Sequence, residues 1–410
     1  MQNHLSNQKL LANRLAETRD FAGAVKSYEL IIQQHPDDVD SYVTLSSCHR
    51  LLRNFDTAEK ILFLADQLEP NRYDVRLGLG ILYREMGRPR DALALVHNIP
   101  DWNARYVTAH ILLSLGNYTD GWRLHRDRWH SSLVKEAKPP CQFDRLDDIK
   151  GKPVVVLREG GHGDVFQMMR YIPLLAQHAS DLLVFVWKNE RRLMQGIFPH
   201  NVTIRLCSEE SNVPLAVEPS YHHAVASLDL PYIFRTTIDT IPPPMRFYHR
   251  PNRQSSTRKK VGLVWAGREA HGTSCDYDDQ RSIPLSAFQE FADLDNIEFI
   301  NLQFGARAND LGLALTKVLS DNFDWLDTAK IIAELDLVIA VDTAVVHLAA
   351  SIGTPTWLLS RFSPCWRWLC NQPTSPWYPH VLRVFGQTSF GNWQPTIECV
   401  KHELIDFTKP

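Results

Sequence analysis

The chain has no stretch approaching the roughly 18 to 20 consecutive apolar residues of a membrane-spanning helix, so no such helix is expected. A formal net charge of −3 gives no electrostatic basis for binding nucleic acid or an anionic membrane. The seven cysteines are scattered, odd in number and never spaced as C-x-x-C, which argues against a disulfide framework and a structural zinc site. Met1 to Lys9 is polar and lacks the apolar core of a secretory signal, so the expected compartment is the cytoplasm. What remains is ordinary for a water-soluble globular protein: 44% apolar and 22% charged residues across 410, enough for two or three domains.

The first third repeats itself. Ala24, Ala58 and Ala92 stand 34 residues apart, as do Tyr28, Leu62 and Val96. Pro36 and Pro70 close two units at the same interval, and Asp20, Asn54 and Arg88 mark the turn before each alanine. A 34-residue helix–turn–helix period is the tetratricopeptide signature. A degenerate fourth unit follows, with Leu112, Leu115, Gly116, Tyr118, Gly121 and Trp122. Small residues in such units let two helices approach, and large ones fill the groove between them. Two roles are open: a concave surface for a protein or peptide partner, or a platform or dimerisation element.

Beyond this array, strand and helix patterns alternate, which implies parallel sheets covered by helices. The expected division is a helical domain over 1–135, a linker over 136–152, and α/β domains over 153–250 and 251–410, with a cleft between the last two. Pro153–Leu157, Leu182–Trp187, Val261–Trp265, Ile297–Gln303, Leu337–Val341 and Thr356–Leu359 read as strands; Asp164–His178 and Leu326–Leu335 read as helices.

Two segments carry the chemistry. In Leu335 to Pro355, the apolar run Leu337–Val341 ends in Asp342-Thr343, helix N-cap types, and Ala344 to Ile352 continues as a helix stopped by Gly353. Such a helix start at the carboxyl edge of a parallel sheet is where anions bind. His347, one turn in, either faces a ligand or supports the adjacent loop. In the second segment, strand Pro153–Leu157 runs into Gly160-Gly161-His162-Gly163-Asp164, whose glycines permit close backbone approach but lack the G-x-G-x-x-G dinucleotide spacing. Asp164 is either a general base or a helix cap. His162 and Glu159 could replace it as base or simply hydrogen-bond the loop. Arg268 and Arg281, after the strand ending in Trp265 and Gly267, are either grips for a diphosphate or solvated surface arginines. Asp276, Asp278 and Asp279 read as a solvated charge run. Phe362, Trp366, Trp368, Trp377 and Tyr378 could stack on bases and sugars, but a minor core is the better reading.

Together these motifs resemble the family 9, heptosyltransferase-like glycosyltransferases, and more closely the bacterial proteins that fuse tetratricopeptide repeats to such a domain. The resemblance rests on Gly121-Trp122-Arg123, Gly163-Asp164 through Arg170-Tyr171-Ile172-Pro173, Val261 to Gly267, Arg281 to Leu285, Asp327-Thr328-Ala329, Asp342 to His347, and Trp366-Arg367-Trp368 through Pro379. It implies a GT-B fold, two Rossmann-like domains facing across a cleft. It implies metal-independent, inverting transfer without a cofactor. The nucleotide-sugar donor would lie mainly on the C-terminal side, with Gly161, Gly163, Trp265, Gly267, Arg268, Arg281, Asp342, Thr343, Ala344 and His347 around it. Asp164, with His162 beside it, would be the base. Relatives often read Gln-Gly-Leu-Gly-Asp where this chain has Gly160 to Asp164, so donor identity does not carry over. Some repeat-fused relatives modify flagellin, which makes a protein acceptor an expectation here. The competing expectation is a non-catalytic repeat adaptor with a degenerate nucleotide-sugar module.

Overall fold

The computed structural model describes residues 2–131, 139, 142–208, 221–251, 258–267, 280–320 and 322–409, with side chains from Leu5 onward. The chain divides into two compact units, Met1–Leu115 and Gly116–Pro410.

The first unit is a stack of helices: α1 (Gln2–Glu17), α2 (Phe21–Gln34), α3 (Val39–Leu51), α4 (Phe55–Leu68), α5 (Tyr73–Glu85), α6 (Pro89–Val96) and α7 (Trp102–Ser114). The 34-residue period is written into its core, where Ala24, Ala58, Ala92, Tyr28, Leu62 and Val96 are all buried. The turns repeat as well. Arg19, Arg53 and Gly87, again 34 apart, each adopt a left-handed backbone conformation. Gly80 of α5 packs so closely on α6 that a Cβ there would lie 2.3 Å from Val96 Cγ1. The equivalent positions, Ser46 and Ser114, are small and buried.

The second unit opens with α8 (Tyr118–His125) and continues as α/β structure. Strands β1 (Pro153–Leu157), β2 (Asp181–Val186), β3 (Val202–Leu206) and β4 (His223–Ala226) form a parallel sheet in the order β3-β2-β1-β4. A second parallel sheet contains β5 (Lys259–Val264), β6 (Ile297–Asn301), β7 (Thr316–Lys317), β8 (Leu337–Val341), β9 (Thr356–Ser360) and β10 (Leu382–Gly386), ordered β10-β9-β8-β5-β6-β7. Counted from β5, this is the Rossmann strand order 3-2-1-4-5-6, and the first sheet is its 3-2-1-4 part. A helical-repeat array followed by two Rossmann-like layers is the GT-B architecture expected from the resemblance. Every residue of β8 is buried, as a strand covered on both faces requires.

One expectation changes in detail. The helix expected over Asp164–His178 starts at His162 and is broken: His162–Met168 is α-helical, Met169–Tyr171 is a 3-10 turn, and Ile172–Leu175 is a separate short helix. Pro173 has no N–H to donate to Met169, which ends the continuous ladder there. The aromatic cluster is core, as expected for most of its members: Trp366, Trp368, Trp377 and Tyr378 are buried, and Phe362 is half-buried. Trp122 of α8 packs edge-on against Trp366 with ring centres 4.9 Å apart, and Trp377 Nε1–H donates to Tyr118 Oη at 2.8 Å.

Gly80→Ala in the full-length chain is expected to lower stability by about 1–3 kcal/mol, the usual cost of overpacking, less about 1 kcal/mol of helix propensity gained. Adding Val96→Ala should recover part of the loss, because the two positions share one contact. Urea unfolding of the single and double variants reads this. A simple gain in stability for Gly80→Ala would mean that α5 and α6 do not meet so tightly.

Candidate functional site

In an open α/β sheet, ligands bind outside the carboxyl ends of the strands where the strand order reverses. In the first sheet that point lies between β1 and β4, and in the second between β5 and β8. The glycine loop follows β1, and Asp342-Thr343 follows β8, so both segments singled out in the sequence occupy reversal points.

After β1, the Glu159 N–H donates to Ser227 Oγ beyond β4 at 3.2 Å. Gly160 turns with φ +77°, and a Cβ there would fall 2.4 Å from Asp164 Oδ2, so only glycine fits. Gly161 caps helix His162–Met168, and Asp164 is the third residue of that helix rather than its cap. Its Oδ2 accepts the Gly161 N–H at 2.7 Å. The opposite oxygen, Oδ1, is held by the Arg367 guanidinium in a very short ion pair.

Gly163 fixes the separation of the two layers. A Cβ there would stand 2.8 Å from His347 Cδ2 and 3.4 Å from Ala344 Cα. The starts of helices His162–Met168 and Ala344–Ile352 therefore meet at a hydrogen atom. Thr343 is the N-cap of the second helix; its Oγ1 makes no capping bond and is buried without a partner among the described residues. Arg281 donates to the Asp342 carbonyl at 2.7 Å.

Arg367 lies at the centre of this ground. Its Nε donates to Gln167 Oε1 at 2.6 Å, its Nη1 to Cys365 Sγ at 3.0 Å, and its face covers the Trp366 ring at 4.1 Å. Burial works against its charge, but the Cys365 sulfur and the Asp164 and Asp342 carboxylates outweigh it, so its pKa is raised. Gln167 is fully buried, and its Nε2 has no partner among the described residues. Buried Arg170 donates to the carbonyls of Pro242 and Trp377 at 2.9 and 3.0 Å, and its Nη2 meets no hydrogen-bond geometry among the described residues. His347, buried between these arginines, meets Tyr378 Oη at 2.9 Å through Nδ1. Burial, with Arg367 and Arg170 adding to it, depresses its pKa well below 6.5, so it is neutral.

The flanking residues are committed elsewhere. His162 Nδ1 lies 2.6 Å from Glu190 Oε1, and Arg158 pairs with the same carboxylate at 2.9 Å. Burial would raise the Glu190 pKa, but bonds from His162 and Arg158 overcome it and leave it lowered. Glu159 is gripped by both arms of Arg128, at 2.7 and 2.8 Å, and Arg128 also reaches Asp229 at 2.8 Å. Burial raises the Glu159 pKa, and Arg128 offsets this only in part. Trp265 is core, its indole N–H donating to Asp310 at 2.9 Å, and the Gly267 N–H is taken by Ser282 Oγ at 3.1 Å. Arg268, Asp276, Asp278 and Asp279 lie outside the described residues. The geometry thus gathers Gly161, Gly163, Asp164, Arg281, Asp342, Thr343, Ala344 and His347 and sets the Trp265 ring apart. It adds Arg367, Gln167 and Arg170. Arg170 and Arg367 were quoted only within the motifs of the resemblance, and nothing in the sequence distinguished them from surface arginines.

No family model matches the chain. Protein FlbA of Caulobacter vibrioides is 25% identical over an alignment of 447 residues, spanning 97% of this chain and 72% of FlbA. Solved structures similar to it include an O-GlcNAc transferase variant from Thermobaculum terrenum, at 12% identity, 87% of this chain, 82% of that chain and a TM-score of 0.31. The family 9 glycosyl transferase of Veillonella parvula is another, at 10% identity, 62% of this chain, 95% of that chain and a TM-score of 0.40.

A neutral buried histidine makes stability pH-dependent in one direction. The unfolded chain protonates His347 near pH 6.5 and the folded chain does not, so the unfolded state binds more protons below that value. Stability is full above about pH 6.5 and falls on acidification by up to about 1.4 kcal/mol per pH unit from this residue. His347→Asn should show a shallower fall in the urea midpoint between pH 7 and 5. An unchanged slope would place the proton uptake elsewhere.

Proposed function

We propose that the chain is a glycosyltransferase that moves a sugar from a nucleotide-diphosphate donor to a hydroxyl on a protein or glycan acceptor. The supporting observation is the contact at Gly163, which sets Asp164 on one Rossmann-like layer against the Thr343–His347 helix start on the other. In this reading the donor diphosphate lies at that helix start, where backbone N–H groups and the helix dipole favour an anion. Arg281 and Arg268 add positive charge, so charge that develops on the leaving diphosphate is stabilised by protein groups without a metal or cofactor. Asp164 takes the proton of the acceptor hydroxyl as its oxygen bonds the anomeric carbon. The bond to the diphosphate breaks at the same centre, with its electron pair leaving on the phosphate oxygen and the configuration inverted.

The repeats would hold the acceptor protein or another partner on their concave face. Among the described residues no helix is long and apolar enough to cross a membrane. The cytoplasm, where nucleotide sugars are at hand, is the compartment this reading requires. One observation favours the adaptor alternative: both Asp164 oxygens are engaged, one by Gly161 and one by Arg367, so the carboxylate is not free to act as a base in this state.

The decisive experiment screens uridine, guanosine, adenosine and cytidine nucleotide sugars by thermal shift, because a donor that binds the native state must stabilise it. One base series is expected to raise the Tm. Asp164→Asn keeps the volume and a carbonyl acceptor beside Arg367, so the variant should fold and still bind that donor. Its transfer or donor hydrolysis should fall by about 10²–10⁴-fold. A flat screen would favour the adaptor, and full activity in Asp164→Asn would remove the aspartate from the chemistry.

A further inference from the structure

The Arg367 side chain is only 12% exposed, and among the described residues the carboxylate it bonds is that of the residue proposed to act as base. Its other two bonds go to Gln167 Oε1 and Cys365 Sγ. A guanidinium in such a place needs an anion, and one removed from water must have it close by. Gln167, bonded to Arg367 and fully buried, has an Nε2 without a partner among the described residues, as do Nη2 of the buried Arg170 and Oγ1 of Thr343 at the helix start. The Asp342 carboxylate acts on the Arg367 charge, and Arg281 is bonded to the Asp342 carbonyl. Arg367 and Arg281 thus act at one helix start, Arg170 acts with Arg367 on His347 one turn in, and neutral His347 adds no charge of its own. Such a set of cationic and neutral donors suits a ligand with several anionic oxygens. The single carboxylate of Asp164 occupies part of the same ground.

We propose that Arg367 is an anchor for the donor's diphosphate and that Asp164 is its stand-in partner when no donor is bound. A diphosphate oxygen that takes the Arg367 fork releases Asp164 Oδ1, so donor binding frees the base, and an acceptor proton can be removed only afterwards. The order of events is donor first, acceptor second. The proposal rests on the donor reading given above. It adds a residue to the donor site and a competition between that residue's two anions.

The competition is measurable with UDP, GDP, ADP, CDP and inorganic pyrophosphate as probes, titrated calorimetrically into the full-length chain. Asp164→Asn removes the competing charge but keeps the side-chain volume, so it should bind the responsive nucleoside diphosphate about tenfold or more tighter than wild type. Arg367→Gln should lose about tenfold to a hundredfold in affinity, the range for a charge-assisted bond. Arg367→Lys, which keeps the charge but not the fork, should lie between them. Should Arg367→Gln fail to fold, Arg367→Lys and Asp164→Asn still carry the comparison. Tighter binding in Asp164→Asn with weaker binding in the Arg367 variants supports the anchor. Nucleoside diphosphate binding by wild type that is unchanged in all three variants overturns it and leaves the donor reading standing. Binding of none of the five probes by wild type or Asp164→Asn overturns both. A purely structural Arg367 would lower the Tm of its variants without making Asp164→Asn bind more tightly.

Discussion

A guanidinium removed from water has to be surrounded by acceptors, and in the α/β unit this requirement fixes each loop of the candidate site. Arg128 binds Glu159 and Asp229 and so fixes the end of β1 against the end of β4. Arg158 binds Glu190 and the Gly160 carbonyl, which sets the glycine turn. Arg170 ties the carbonyls of Pro242 and Trp377 to the helical segment after Asp164. Arg367 joins Asp164 and Gln167 to the chain beyond β9. Breaking one buried pair of this kind typically costs about 3–5 kcal/mol, so each loop has one well-defined position rather than a family of them. The arginines are shielded on their flat faces by aromatic rings, Trp129, Trp187, Trp366, Trp377 and Tyr378, which cover the cation where it has no hydrogen-bond donor to offer.

The parts of the fold that were legible in the sequence are those in which one physical rule dominates. The repeats announce themselves because a helix pair that must pack on its neighbours needs small and large residues at fixed intervals, and Ala24, Ala58, Ala92 and their partners are all buried. Strands β1 and β8 are legible because both faces are covered, giving unbroken apolar runs. Strands β3, β4, β7 and β10 are not legible in the sequence; β4 and β7 are only four and two residues long. Val202 to Leu206 is partly exposed along its length and carries Arg205, and Leu382 to Gly386 carries Arg383 and ends in glycine, so neither shows an uninterrupted run. Helix Lys188–Met194 carries Lys188, Glu190, Arg191 and Arg192 and no apolar run to announce it, yet its Glu190 is buried.

The candidate site divides along the same line. The glycines, Asp164, Asp342 and Thr343 follow from local backbone rules that a sequence displays directly. Arg170, Arg367 and Gln167 depend on what tertiary packing places around them, and a single sequence gives arginine a surface position by default. Trp265 entered only through the resemblance, and packing sets its ring: Asp310, 45 residues later, satisfies its N–H and lets the ring remain in the sheet core.

The glycine at 163 has a mechanical consequence. A Cβ there would meet the His347 ring at 2.8 Å, while the Ala344 backbone stands at an ordinary contact distance of 3.4 Å. The spacing of the two helix starts is therefore set without an intervening side chain, and Arg367, bonded to Asp164 and Gln167, ties the same two layers together. In this respect the residue acts as a gauge block, and the width of the gap between the two layers is encoded by the smallest side chain available.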